Sequence, residues 1–174
     1  HGTAAEGALL SVEGLAAPGL AAPVDLTVGP GEIVGLTGQL GSGADVVVQS
    51  LAGMRPPSAG TVRLDGKPLA LSSRAETLAR GIAYCSADRK RDGIFAGRSI
   101  RENLSSPWLG SVAPGGWIAF REETRKARET AERFAIDATR LATAVGALSG
   151  GNQQKVAVGK WLGAAPRVML LEEP

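Results

Sequence analysis

Apolar and polar residues alternate along ALLSVEGL (8–15) and again along VDLTV (24–28), the period-2 pattern of half-buried strands. A Pro-Gly-Glu turn (30–32) leads into EIVGLTG (32–38), an unbroken apolar run that predicts a buried strand. ADVVVQSLAG (44–53) switches to helical spacing and closes on Gly53. GTVRLDGKPL (60–69) predicts a hairpin with Asp65-Gly66 at its turn. SSRAETLARG (72–81) predicts a short helix, with Ser73 as N-cap and Gly81 as its stop. IAYCS (82–86) is a further strand.

Residues 87–120 read as loop-rich, with a short helix over SIRENLS (99–105). REETRKARETAER (121–133) is a helix in which Glu122–Lys126 and Glu129–Arg133 are favourable i,i+4 pairs. Phe120, Ala127, Ala131 and Phe134 share its apolar side, and the charged run is read as a solvated face. LSGGNQQKVAVGKWLG (148–163) starts with a cap and becomes a helix. RVMLLEEP (167–174) is a buried strand that runs into two carboxylates. Alternating strands and helices, with a glycine loop between one strand and the next helix, predict an α/β sandwich with a largely parallel central sheet. The first two strands add an antiparallel flap.

Length fits one domain: 174 residues bury about 70% of the surface their unfolded chain exposes. Nineteen Lys and Arg against seventeen Asp and Glu leave a net charge of +2, too little to argue for nucleic acid. The basic cluster Arg89, Lys90, Arg91 has no interleaved aromatics for base stacking, which points the same way. Cys85 is the only cysteine, so no intramolecular disulfide forms, consistent with a reducing compartment. No apolar run approaches the 18 or more residues of a membrane span, and no metal site is read from the sequence.

Chemistry enters with GQLGSGAD (38–45). Three glycines at this spacing match the phosphate-wrapping pattern G-x-x-x-x-G-K-[ST], in which backbone N–H groups and a helix N-terminus hold an anion. Gly38, Gly41, Ser42 and Gly43 are the candidate cradle. The pattern then calls for Lys and Ser or Thr, where this chain has Ala44 and Asp45. Ala44 has no ammonium group for phosphate, and Asp45 brings a negative charge in place of a magnesium-binding hydroxyl. Asp45 also has a structural reading. An acid in the first helical turn stabilises the macrodipole by about 0.3–1 kcal/mol. By itself the loop fits both a retired phosphate site and an ordinary strand–turn–helix.

LSGGNQQK (148–155) is more telling. Adjacent glycines inside a helix cost roughly 1 kcal/mol each relative to Ala, so local stability does not ask for Gly150 and Gly151. Ser149, bare backbone at both glycines and a helix dipole together make an anion-binding tip.

LSGGNQQKV resembles the signature motif of ABC-type ATPases, and its Asn-Gln-Gln-Lys ending is similar to the sugar importers that carry two ATPase domains in one polypeptide. DRKRDGIFAGRSIREN (88–103) resembles the second, C-terminal domain of that group. The resemblance runs from about Leu9 to Pro174. It implies a P-loop NTPase-like three-layer sandwich with N-terminal antiparallel strands and a helical subdomain. Its core would be 8–93 and 164–174, its helical subdomain about 94–163, and residues 1–7 an unstructured start outside the natural fold. It implies that Gly38 to Gly43 fall on Walker A and VMLLEE on Walker B, whose usual Asp is Glu172 here. Glu173 then falls on the general base, Ala87 on the Gln or Glu that senses the γ-phosphate, and Arg89 to Arg91 near the region facing the membrane subunits. No aromatic precedes Tyr84, so the ring that stacks on adenine is missing.

In this family two domains pack head to tail, with ATP between the Walker A of one and the signature of the other. The resemblance therefore implies a chain that hydrolyses little at its own loop, with Glu173 vestigial, and that lends Ser149, Gly150, Gly151 and Gln153 to ATP held by a partner. ATP and Mg²⁺ would be cofactors of the full assembly and not bound tightly by this chain. The partners implied are another ATPase domain and membrane permease subunits, with no nucleic acid, at the cytoplasmic face of the membrane, the chain itself being soluble. A further strand and a switch histidine normally follow, whereas His1 is the only histidine here. The expectation is a chain truncated after Walker B that self-associates through an exposed sheet edge. Other readings are a non-catalytic scaffold and a nucleoside-type importer ATPase.

Overall fold

The computed structural model describes residues 7–39 and 41–173. The expected unstructured start over 1–7 lies, Gly7 apart, outside the described residues, as do Leu40 and Pro174. Two compact units divide after Ala83.

In the first unit β1 (Leu10–Ala16), β2 (Val24–Val28), β3 (Ala59–Leu64) and β4 (Lys67–Pro68) form an antiparallel sheet in the order β2-β1-β3-β4. The register sets Leu10 opposite Leu64 and Val12 opposite Val62, so all four side chains are buried on one face. The Asp65-Gly66 turn closes the β3–β4 hairpin with both residues at positive φ (50° and 70°), as a two-residue I′ turn demands. Helix α1 (Ala44–Leu51) buries Val46, Val47 and Leu51. It stops at Gly53, whose N–H bonds Ser50 O at 2.9 Å while Met54 N–H bonds Gln49 O at 2.9 Å. Helix α2 (Arg74–Ala79) is capped by Ser73, whose hydroxyl accepts from Glu76 N–H at 3.3 Å. The Thr77 hydroxyl donates to Ala52 O at 2.7 Å and ties α2 to the end of α1.

The second unit opens within β5 (Ile82–Cys85), which pairs with β6 (Val168–Leu171). Helices α3 (Ile100–Ser105), α4 (Phe120–Arg133) and α5 (Gly150–Gly163) pack into one helical subdomain. Its core joins Ile100, Leu104, Ala127, Ala131, Val145, Val156 and Ala157, with Cys85 reaching in from β5. Small residues at 127, 131 and 157 let the helix backbones approach, and full burial of a side chain such as Leu104 contributes about 1.5–3 kcal/mol. Helix α3 carries a complete capping box: Ser99 Oγ accepts from Glu102 N–H at 3.2 Å and the Glu102 carboxylate accepts from Ser99 N–H at 2.8 Å.

Several expectations need correction. Residues 32–38 form no strand. Ile33 is 97% exposed, and Val34 and Leu36 are exposed as well. An apolar run becomes a strand only when a neighbouring ladder and a face to pack on are available, and no described strand pairs with this one. Consequently only β5 and β6 represent the expected central sheet among the described residues. Strand β6 is half-buried, not buried, because one strand flanks it there. Third, Arg89–Gly93 is one turn of π-helix where a loop was expected, and Asp92 N–H bonds Asp88 O at 2.9 Å beside it. Finally, the pairs on α4 differ. Arg125 bridges Glu122 and Glu129 instead of Glu122 meeting Lys126 and Glu129 meeting Arg133. Its charged run is also not wholly solvated. Glu123 is buried, accepts from the Ser105 hydroxyl at 2.7 Å and faces Arg101 at 3.4 Å. Phe120, expected on the apolar side, is exposed beneath the Arg101 guanidinium.

Candidate functional site

In the glycine loop, Gly38 and Gly43 have local steric causes, whereas a Cβ on Gly41 would meet nothing. A Cβ on Gly38 would come within 2.2 Å of the Ser42 hydroxyl oxygen, so the chain folds back on itself there only because that position is bare. Ser42 N–H bonds Gln39 O at 2.8 Å. Gly43 is buried at φ 90° as the N-cap of α1, and a Cβ on it would lie 2.7 Å from Leu20 Cδ2 and 3.1 Å from Gly19 O. Gly41 and Ser42 are exposed, Ala44 is half-buried, and Asp45 stands exposed in the first turn of α1. No side chain caps this helix.

At α5 the arrangement is different. Ser149 is the N-cap in extended backbone (φ −60°, ψ 155°), yet its hydroxyl makes no cap hydrogen bond. Ser149, Gly150, Gly151 and Asn152 are all exposed, and a Cβ on Gly151 would meet open space. No acid occupies the first turn of this 14-residue helix. The orphan N–H groups of the first turn and the helix dipole thus face outward beside an unengaged hydroxyl. Gln153 is buried against the start of the helix. Its N–H bonds Ser149 O at 2.9 Å and its amide Nε2 donates to Leu148 O at 3.0 Å, while Oε1 finds no hydrogen-bond partner among the described residues.

The end of β6 carries the two carboxylates. Glu172 N–H bonds Cys85 O at 3.0 Å, and the buried Tyr84 hydroxyl donates a short hydrogen bond to Glu172 Oε2. Burial, and then that bond, push the Tyr84 hydroxyl up to about 12. Glu173 is exposed, with a left-handed φ of 45°. Ala87 is exposed in the bend after β5. Burial pushes the Cys85 thiol up, which makes it an inert core residue. The structure therefore gathers Ser149, Gly150, Gly151 and Gln153 into one helix tip, while Gly38, Gly41, Ser42 and Gly43 belong to the first unit and Glu173 stands at the end of β6. Sequence reasoning missed the Tyr84–Glu172 bond, since no periodicity links residues 88 positions apart.

A family profile described as "ABC transporter" matches residues 21–174. The chain belongs to the ABC transporter family. It is 39% identical to the ribose import ATP-binding protein RbsA of Jannaschia sp. (strain CCS1) over all of its length and 33% of that protein's. It is 42% identical to RbsA of Pseudomonas putida, over 95% of this chain and 32% of that protein. The arabinose import ATP-binding protein AraG 2 of Burkholderia cenocepacia is also 42% identical, over 95% and 32% respectively. The chain thus spans about a third of the length of the curated relatives it matches. Among solved structures, a nucleotide-free ATP-binding cassette from an ABC transporter superposes with TM-score 0.78 at 21% identity, covering 94% of this chain and 68% of that one. The cbiO1 protein of Clostridium perfringens gives 0.75 at 23% identity, covering 94% and 64%. These likenesses establish the fold, the mixed α/β architecture of an ABC ATPase with its antiparallel sheet and helical subdomain. No helix among the described residues is long and apolar enough to cross a membrane.

Proposed function

We infer that this ABC ATPase chain acts in a sugar importer as the second ATPase domain of its polypeptide. It lends the α5 tip to ATP seated on another ATPase domain and turns over little ATP at its own glycine loop. The observation that carries the reading is the unengaged Ser149 hydroxyl beside Gly150 and Gly151 on an exposed, acid-free helix start. A triphosphate supplies the negative charge and the acceptors that this start lacks. The relatives' names, ribose and arabinose import ATP-binding proteins, support a sugar as the transported solute.

The chain's own loop fits Mg-ATP poorly. Ala44 offers no cation, and Asp45 sets a carboxylate in the first turn of α1. Phosphoryl transfer depends on positioned positive charge, so a loop without it supports little hydrolysis. Glu173 is then a vestigial base. Steric reasons account for Gly38 and Gly43 without a ligand. When bound on the partner, ATP and Mg²⁺ supply the phosphoryl chemistry. This chain contributes Ser149 as a donor, the backbone N–H groups behind it as an anion cradle, and Gln153 as the brace that holds the start of the helix against Leu148.

Titration of the chain with a fluorescent ATP analogue and Mg²⁺ tests the inert loop. The expected result is no saturable Mg²⁺-dependent binding in the low-micromolar range, and such binding overturns that half of the reading. Reconstitution with an ATPase domain of intact Walker A and with the permease tests the lent tip through Ser149→Arg, which is expected to lower ATPase activity about 10²-fold, and transport with it. Full activity in that variant favours a scaffold that contributes nothing to the nucleotide.

A further inference from the structure

Strands β5 and β6 pair only with each other among the described residues. Two strands by themselves are marginally stable, so such a pair needs further fastening. Cys85 supplies some by packing into the helical core. Glu172, just past the end of β6, supplies more, because β5 grips it twice. Its backbone N–H bonds Cys85 O at 3.0 Å, and its carboxylate accepts from the Tyr84 hydroxyl. Tyr84 is buried, and a buried hydroxyl without an acceptor is costly, so the fold itself has a use for this carboxylate. The resemblance puts Glu172 where Walker B has aspartate, a position associated with magnesium. The residues present fit that ion poorly. Asp45 stands where a ligand hydroxyl belongs, and among the described residues no group of three or more acids, histidines or cysteines is placed to hold a metal ion.

We propose that Glu172 serves this chain as the acceptor that secures Tyr84 and clasps the end of β6 to β5, in place of a magnesium-holding carboxylate, and that the clasp requires the extra methylene of glutamate. Aspartate, one methylene shorter, keeps the backbone bond to Cys85 and loses the reach to the phenol. Tyr84 is thus a positioning residue, which sets the direction of the Glu172 carboxylate without any nucleotide. The turn that follows starts from this anchored residue. Glu173 has a left-handed φ of 45°, a conformation that persists only where its surroundings hold it. The inference rests on the reading of Glu172 as the Walker B position and deepens that of the inert loop. Its test uses no nucleotide, so the clasp can fail while the loop stays inert, and the loop can bind Mg-ATP while the clasp holds.

Tyr84 is the only tyrosine among the 174 residues, so the tyrosine doublet in the Raman spectrum of the chain reads this one hydroxyl. Its intensity ratio is low when the phenol donates to a carboxylate and rises when that bond is lost. Wild type should give the low ratio, and adding Mg²⁺ should not change it. Glu172→Gln keeps the length and an acceptor but not the charge, and should raise the ratio in part. Glu172→Asp, the residue of the family pattern, should raise it to the value of a phenol without a carboxylate partner. In urea unfolding, Glu172→Asp should lower the midpoint of wild type and lower it much less in a Tyr84→Phe background, where the carboxylate has no phenol to hold. A low ratio retained in Glu172→Asp, a Mg²⁺ response in wild type, or equal midpoint losses in the two backgrounds would each overturn the proposal.

Discussion

Helices α3 and α5 begin with a serine in nearly the same backbone conformation, φ −65° and ψ 161° at Ser99, φ −60° and ψ 155° at Ser149. One hydroxyl is consumed by the fold and the other is not. Ser99 closes a capping box with Glu102, whereas Ser149 is followed by Gly-Gly-Asn and caps nothing. A serine without its local bond, on a start that carries two glycines, is the feature that the proposed acceptor outside the chain would explain. The comparison breaks most visibly in the assembled transporter. Ser149→Arg should lower ATPase activity by about 10²-fold, the scale of losing one donor to a developing oxyanion, with the thermal midpoint of the chain unmoved. Ser99→Ala in the same assay should leave turnover of the folded protein intact. Equal losses from both would make the two serines alike and end the distinction.

The start of α1 sharpens the comparison from the other side, since Gly43 has a steric cause within the fold. Gly43→Ala adds a Cβ at φ 90° against Leu20 and Gly19, and should cost about 1–3 kcal/mol in urea unfolding. Gly151→Ala, open in space at its Cβ, should cost nothing measurable and gain slightly from helix propensity. If Gly43→Ala is tolerated, the steric account of the loop fails and a phosphate cradle becomes the better explanation of its glycines.

These contrasts show what the sequence could reveal. The Ser73 cap, the Asp65-Gly66 turn and the Gly53 stop act over three or four residues, and each appears where the pattern put it. The helix start at Ser149 was legible for the same reason, although the Ser149 hydroxyl makes no cap bond. EIVGLTG was misread because strand formation depends on a partner elsewhere in the chain, which local periodicity does not encode. Glu123 was misread as solvated because its partners Ser105 and Arg101 come from another helix, and Tyr84–Glu172 spans 88 positions. Local chemistry was readable, and non-local pairing was not.

The capping contrast also has a stability form. Ser99→Ala should cost about 1 kcal/mol, and Ser149→Ala, which loses no cap bond, should be close to neutral by chemical denaturation. A pH series isolates the carboxylate in the box. The Ser99 backbone N–H, and then its hydroxyl, hold the Glu102 carboxyl below its ordinary range. A depressed folded value means that this contribution is complete above the ordinary Glu range and fades as pH falls through the folded value. Wild type should therefore lose stability on acidification where Glu102→Gln loses less. An identical acid slope in the two would remove Glu102 from the account of α3.

The smallest effect concerns Asp45. As a first-turn acid on α1 it should stabilise by about 0.3–1 kcal/mol, and Asp45→Asn should lose that amount at low salt and less of it at high salt. The same substitution removes the negative charge beside the loop N–H groups, so inorganic phosphate protection of the chain against urea reads its second role. If Asp45 is what bars an anion from α1, Asp45→Asn acquires phosphate-dependent stabilisation absent from wild type. If the variant still gains nothing, the missing cation at Ala44 is sufficient to exclude phosphate, and Asp45 is only the charge that completes the helix.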